Sequence, residues 1–336
     1  MVGNEDDESG DNFDLKTILQ DTSREDFMST YWMRRPWFSE PSRVRLESAQ
    51  RCLGSTDFGF LLSRCGSFQV LDAQAGLSPL GRPLRRASFE SALDAYERRG
   101  LTVLGWLAAF PARSTIQTFD SSSRFGIGSC GLTGLVRALR SLSVDLGVPS
   151  ISAGVFGAYQ SAGLPAHFDA SGIFTIQIRG AKRWSLGKAP AALHPINTWS
   201  PREGQVPAHW TGSQEALRLD DGHDIVLRPG AALYNPPGVL HRVRSDDADQ
   251  ENLALTFTVP QLTWAAILGE ALRASAEEDD ALRAPIFADP RTLPGSPEFV
   301  AACRGQLERL LGVLSHLRPS DIEQFLAAHL EYPRRR

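Results

Sequence analysis

"PAHFDASGIFTIQIRGAKRWSLG", residues 165–187, decides how the rest of this chain is read. It sets His167 and Asp169 two residues apart at the mouth of a strongly apolar run, with Lys182 fifteen residues beyond the histidine. An imidazole, a carboxylate and an ammonium along one buried segment are costly unless each has a partner. The segment therefore asks for a ligand, a metal, or both. Strand alternation turns Ser171, Ile173, Thr175 and Gln177 to the side of the histidine and aspartate. The Gly180-Ala181 step then lets Lys182 turn inward.

His-x-Asp alone is a weak signal, because 7 histidines among 336 residues are expected to yield about half an occurrence by chance. Two further features raise it. In "YNPPGVLHRV", residues 234–243, a strand runs into a Pro-Pro-Gly turn that delivers His241 to the start of the next strand. Proline fixes φ and glycine permits positive φ, so the turn holds the imidazole in one place. A histidine, a carboxylate and a distant second histidine are what a 2-His-1-carboxylate facial triad requires. The second feature is compositional. Of 35 lysines and arginines, only Lys16, Lys182 and Lys188 are lysines. A lysine on this strand hints at a specific need, such as pairing with the carboxylate of a bound acid; the alternative is an exposed residue at a strand end.

Around these motifs, residues 151–260 read as short apolar runs broken by Gly and Pro: "GIFTIQIRG", "DIVLRPG", "AALYNPPG" and "LALTFTVP". That spacing means a sandwich or a small barrel. The polar stretch 187–222, carrying Trp199 and Trp210, has the length of a functional loop or lid. Upstream, Thr22 and Glu25 offer a capping box for a helix bearing Phe27, Tyr31 and Trp32, which Pro36 should end. Further helices are expected at "SFESALDAYERRG" and around 132–146, with the strand "LTVLGWL" between them. Residues 1–14 are expected to be a disordered acidic tail. After 260 the chain is helical again, with apolar stripes led by Trp264, Ile267, Leu268 and Leu272 and by Phe299, Cys303, Leu307, Leu310 and Leu314.

Bulk properties narrow the classes. A net charge of −4 argues against nucleic-acid binding, no apolar run is long enough for a membrane span, and the acidic start is no signal peptide. Cys52, Cys65, Cys130 and Cys303 form no CxxC pair, so they read as reduced thiols in a cytoplasmic protein.

Taken together, the motifs resemble the JmjC-type cupin oxygenases, specifically the cupin-4 branch that contains the ribosomal-protein hydroxylases. The resemblance spans most of residues 22–260 through "FMSTYWMRRPWF", "GLPAHFDASGIFTIQIRGAKRW" and "LRPGAALYNPPGVLHRV", and reaches "DDALRAPIF" beyond. It implies a mainly β fold with flanking helices, a double-stranded β-helix (jelly-roll/cupin) over residues 15–260. A C-terminal helical dimerisation module over 261–336 would follow, with room for a shortened winged-helix remnant. It also implies Fe(II) held by His167, Asp169 and His241, and 2-oxoglutarate as cosubstrate with its far carboxylate on Lys182. Thr256, Thr175 and Tyr159 are further candidates for cosubstrate contact. The implied dioxygenase reaction couples decarboxylation of 2-oxoglutarate, to succinate and CO2, with hydroxylation of a C–H bond. A protein or peptide side chain, a small molecule or natural product, and a non-catalytic cupin that only binds a partner are the readings to separate. The chain departs from the family at Ala231, where an aspartate is usual. His194, His209, His223, His316 and His329 lack a paired motif and are assigned no role.

Overall fold

The computed structural model describes residues 13–71, 89–97, 101–110, 132–159, 163–200, 219, 223–246, 251–285 and 294–323. Two compact units, Met1–Gln261 and Leu262–Arg336, make up the chain. In the first, Asp14 caps α1 (Leu15–Leu19) by accepting from the Thr17 amide, and Ser23 caps α2 (Arg24–Thr30) by accepting from the Asp26 amide. The second cap lies one residue beyond the Thr22 expected from sequence. Thr22 is claimed by a tertiary contact, its hydroxyl accepting from the Trp37 indole N–H at 3.1 Å. The helix closes at Tyr31, ahead of Pro36, where the chain turns into β1 (Trp37–Ser39). Then come α3 (Arg43–Leu53), α4 (Phe58–Ser63), β2 (Ser67–Leu71), α5 (Phe89–Glu97), β3 (Thr102–Phe110) and α6 (Thr133–Leu146). Leu135, Leu139, Leu142 and Leu146 form the buried stripe of α6, at the three-to-four-residue spacing that one helix face requires.

The remaining strands build the barrel: β4 (Ile151–Ala158), β5 (Leu164–His167), β6 (Gly172–Arg179), β7 (Lys182–Leu186), β8 (His223–Leu227), β9 (Ala232–Asn235), β10 (His241–Ser245) and β11 (Asn252–Val259). With β1, β2 and β3 they form, among the described residues, a seven-stranded sheet, β1-β9-β6-β11-β4-β3-β2, and a four-stranded sheet, β5-β10-β7-β8, and from β4 onward the chain repeatedly switches between the two. Every pairing among the described strands is antiparallel. This is a double-stranded β-helix with helices against the outer face of its larger sheet.

β6 shows why the sequence reads as almost continuously apolar. Phe174, Ile176 and Ile178 alternate into the main core with Leu255 and Phe257 of β11, Phe27 of α2 and the α6 leucines. Thr175 and Gln177, between them, are buried on the opposite face, and Thr256 lies opposite Thr175 in the ladder. A strand covered on both sides loses the polar-out signature of a half-exposed one. Leu233, next to Thr175 on that inner face, packs with Trp184, Leu186, Leu227 and Val243 of the smaller sheet. Ala231 is fully buried in the same apolar cluster, where a carboxylate would lose its water without a partner.

Residues 187–200 of the polar insertion fold onto the barrel. Ala191, Ala192 and Trp199 pack with Phe168, Leu219 and Leu240, while Trp210 and His209 lie outside the described residues. Cys52 is buried, Cys65 half-buried and Cys303 exposed, with no disulfide among the described residues; Cys130 is outside the described residues.

The second unit contains α7 (Trp264–Glu278), α8 (Asp280–Arg283) and α9 (Pro297–His316), and no strand among its described residues. Arg309 of α9 meets Asp279, the cap of α8, at 3.0 Å, and the Gln306 amide donates to the Ala281 carbonyl. Trp264 and Leu268 of α7, and Val300, Leu307, Leu311 and Leu314 of α9, are exposed.

Candidate metal centre

Register brings the two distant histidines together. His241, first residue of β10, is the direct partner of His167, last residue of β5, so both imidazoles leave the sheet on one face. Their ring centroids are 4.1 Å apart. Asp169 reaches the same point from just beyond β5: its Oδ1 lies 4.0 Å from His167 Nε2 and its Oδ2 3.5 Å from His241 Nε2. The three ligand atoms all lie within 4.8 Å of one another.

The backbone around Asp169 is clipped from three directions. Gly238, at the tip of the Pro-Pro-Gly turn, donates its N–H to the Asp169 carbonyl at 2.9 Å. Phe168 exchanges backbone hydrogen bonds with Trp199, at 2.9 and 3.1 Å, and Gln261 donates to the Ala170 carbonyl at 2.8 Å. Gly238 has φ +77°, and a Cβ there would sit 1.9 Å from the Ala192 carbonyl oxygen. Only glycine fits where the turn, the insertion and the ligand segment meet.

His167 Nδ1 lies 2.7 Å from the Pro165 carbonyl, and His241 Nδ1 3.0 Å from that of Val239. An N–H on each Nδ1, donated to these oxygens, leaves both Nε2 lone pairs facing the carboxylate, as ligation needs. Burial raises the Asp169 carboxyl above its ordinary range, opposed by its electrostatic interaction with His167 and a hydrogen bond from Thr198. Burial, reinforced by the electrostatic interaction with His167, pushes His241 well below the ordinary histidine range. A divalent cation supplies the positive charge that such a cluster lacks. Two neutral imidazole nitrogens and one carboxylate, converging from one side, fit a facial-triad metal of the Fe(II) type.

Lys182 is buried at the start of β7, and burial lowers its ammonium to about 8. No hydrogen bond or ion pair holds it among the described residues. It shares the inner face of β7 with Trp184 and Leu186, while His241 stands opposite Leu186 and Ser245 opposite Lys182. The ladder thus runs from the triad at one end to the ammonium at the other. Thr256 is buried, its hydroxyl donating to the Gly154 carbonyl at 3.1 Å, and Thr175 is buried beside it. Tyr159 stands apart at the exposed end of β4, its ring edge against Tyr96 at 6.3 Å. None of its described contacts is with the triad or Lys182. His194, His223 and His316 are exposed, and His329 lies outside the described residues.

Two neighbours of His241 have no sequence signal of their own. The Trp184 ring stacks on the His241 imidazole at 5.5 Å, and its indole N–H is buried without a hydrogen-bond partner among the described residues. Asn235 places its side-chain amide 3.1 Å from His241 Nδ1. Both contacts cross between elements, and no residue spacing announces them.

Residues 143–266 match the family model described as JmjC domain, a stretch that contains the triad and Lys182. The uncharacterised protein YxbC of Bacillus subtilis is 30% identical over 200 residues, covering 56% of this chain and 59% of its own. Ribosomal oxygenase 2 of Rattus norvegicus is 31% identical over 129 residues, covering 37% of this chain and 25% of its own. The chain therefore spans less than two thirds of the Bacillus relative and about a quarter of the rat one. Among solved structures, YcfD, a ribosomal oxygenase from Escherichia coli, aligns over 94% of this chain and 72% of its own, with 16% identity and a TM-score of 0.45.

Proposed function

We propose that this JmjC-domain protein is an Fe(II)- and 2-oxoglutarate-dependent oxygenase that hydroxylates a C–H bond of a protein or peptide side chain. One observation carries the reading: two imidazoles and a carboxylate with all ligand atoms within 4.8 Å, on the barrel face that also buries a lysine with no partner among the described residues. Metal alone would not call for Lys182. A metal together with an acidic cosubstrate accounts for both.

His167, Asp169 and His241 hold the iron, and Lys182 receives the far carboxylate of 2-oxoglutarate. When bound, iron and cosubstrate would supply an oxidation by O2, one oxygen atom entering succinate as CO2 leaves and the other entering the hydroxylated C–H bond. The protein's own part is orientation and exclusion of water. The ammonium at one end of the β10–β7 ladder and the triad at the other fix both ends of a five-carbon dicarboxylate. Thr175 and Thr256 line the face between the sheets; Thr256 reaches the carboxylate by turning its hydroxyl away from Gly154. Tyr159, at the exposed end of β4, serves the rim of the site.

A macromolecular substrate draws support from the rat relative, which bears the name ribosomal oxygenase 2. The stripe Val300, Leu307, Leu311 and Leu314, exposed along α9, supports a homodimer assembled through residues 261–336, beside an oxygenase domain over 15–260. The scattered cysteines, with no CxxC pair in the sequence and no disulfide among the described residues, support a cytoplasmic setting. Succinate release tests the central proposal. Purified protein with Fe(II) and 2-oxoglutarate is expected to release succinate slowly alone and faster with a ribosomal-protein extract, the product gaining one oxygen in mass. No 2-oxoglutarate turnover under any of these conditions would overturn the oxygenase reading. Stimulation by amino acids but not by protein would move the substrate to a small molecule.

A further inference from the structure

We propose that Asn235 is a positioning residue for the metal ligand His241, its side-chain amide serving both tautomers of the imidazole and turning over when metal binds. The proposal rests on the reading of His167, Asp169 and His241 as metal ligands. Asn235 ends β9, six residues before His241 and across the Pro-Pro-Gly turn, and is buried at 1% exposure. Its Nδ2 lies 3.1 Å from His241 Nδ1, and its Oδ1 is buried with no hydrogen-bond partner among the described residues.

A neutral imidazole carries one proton on two nitrogens, so His241 Nδ1 cannot accept from Asn235 and donate to Val239 at once. In the first state the proton is on Nε2, which faces Asp169 Oδ2 at 3.5 Å. Nδ1 then accepts from the Asn235 N–H. That state suits a metal-free site, where Nε2–H and the carboxylate pair directly. In the second state Nε2 gives its lone pair to a metal, and the proton moves to Nδ1, where it points at the Val239 carbonyl 3.0 Å away. An amide N–H facing it would now set donor against donor. The two ends of a carboxamide have the same size, so a half-turn of the Asn235 side chain brings Oδ1 into position as a second acceptor.

His167 differs. Among the described residues its Nδ1 meets only the Pro165 carbonyl, at 2.7 Å, an acceptor that favours the proton on Nδ1 beforehand. One ligand is therefore preset, and the other is adjustable through Asn235. Leucine at 235 would serve neither state. Aspartate, an acceptor only, would serve the metal-bound state alone.

The test reads metal affinity and tautomer rather than turnover. Co(II) titration of the full chain, without cosubstrate, is expected to show Asn235→Leu binding about ten- to a hundred-fold more weakly than the wild type, the range seen when a ligand's hydrogen-bonding partner is lost. Asn235→Asp is expected to bind at least as tightly as the wild type. Nitrogen-15 NMR of the histidine rings requires no substitution. In the wild type it should show the His241 proton on Nε2 without metal and on Nδ1 with Zn(II). Unchanged Co(II) affinity in Asn235→Leu, equal losses in both variants, or a His241 proton on Nδ1 in the metal-free wild type would each overturn the role of Asn235. Failure of the wild type to bind Co(II) or Zn(II) would instead overturn the metal-site reading on which it rests.

Discussion

Replacing Lys182 by methionine should make the metal-free protein more stable and the enzyme worse. The buried ammonium has its pKa lowered from the ordinary 10.5 to about 8, by burial. At about 1.4 kcal/mol per pH unit, that separation means that keeping the charge in the folded state costs up to about 3 kcal/mol. The sign follows from proton counting. Below about pH 8 both folded and unfolded chains carry the proton, and the full cost is present. Between about pH 8 and 10.5 only the unfolded chain carries it, so wild-type stability rises with pH and the cost fades. Methionine keeps the length of the apolar stem and removes the charge. Urea unfolding of metal-free protein should then show Lys182→Met ahead by up to about 3 kcal/mol at pH 7, the gap closing by about pH 10. The same variant should bind 2-oxoglutarate about ten- to a hundred-fold more weakly, the worth of a charge-assisted pair in a buried site. In the wild type, binding requires the protonated ammonium, so affinity should fall as pH rises above about 8. A stability gap that does not change with pH, or unchanged 2-oxoglutarate affinity in the variant, would refute the reasoning.

His167→Ala, Asp169→Ala and His241→Ala should each abolish tight Co(II) binding in calorimetry while far-UV circular dichroism stays that of the metal-free wild type, since three ligands are the minimum for this geometry. Gly238→Ala forces a Cβ against the Ala192 carbonyl at positive φ and pulls the turn off Asp169. It should cost more than about 2 kcal/mol and weaken metal binding as well, and a wild-type melting curve would count against the clip. For the full chain, light scattering at micromolar concentration should report a dimer, lost when residues 261–336 are removed; a full-length monomer would end that proposal.

Much of the site is visible from residue order because its chemistry is carried by groups that are rare in apolar strands. His167, Asp169 and Lys182 stand out against "GIFTIQIRG", and Pro236, Pro237 and Gly238 announce a rigid turn before His241. Alternation then assigns Thr175 and Gln177 a face, since side-chain direction along a strand is a local property. Cap choice at Thr22 and Ser23 is also local, yet it was settled elsewhere, by the Trp37 indole. What only tertiary structure decides is which distant groups meet. The pairing of His241 with His167, the Gly238 amide on the Asp169 carbonyl, the Trp199 bridge to Phe168 and the Asn235 amide on His241 Nδ1 all join segments whose separation along the chain carries no period. Their encounter follows from sheet register, and register is chosen by burying the alternating faces of many strands at once. No single stretch of sequence contains that sum.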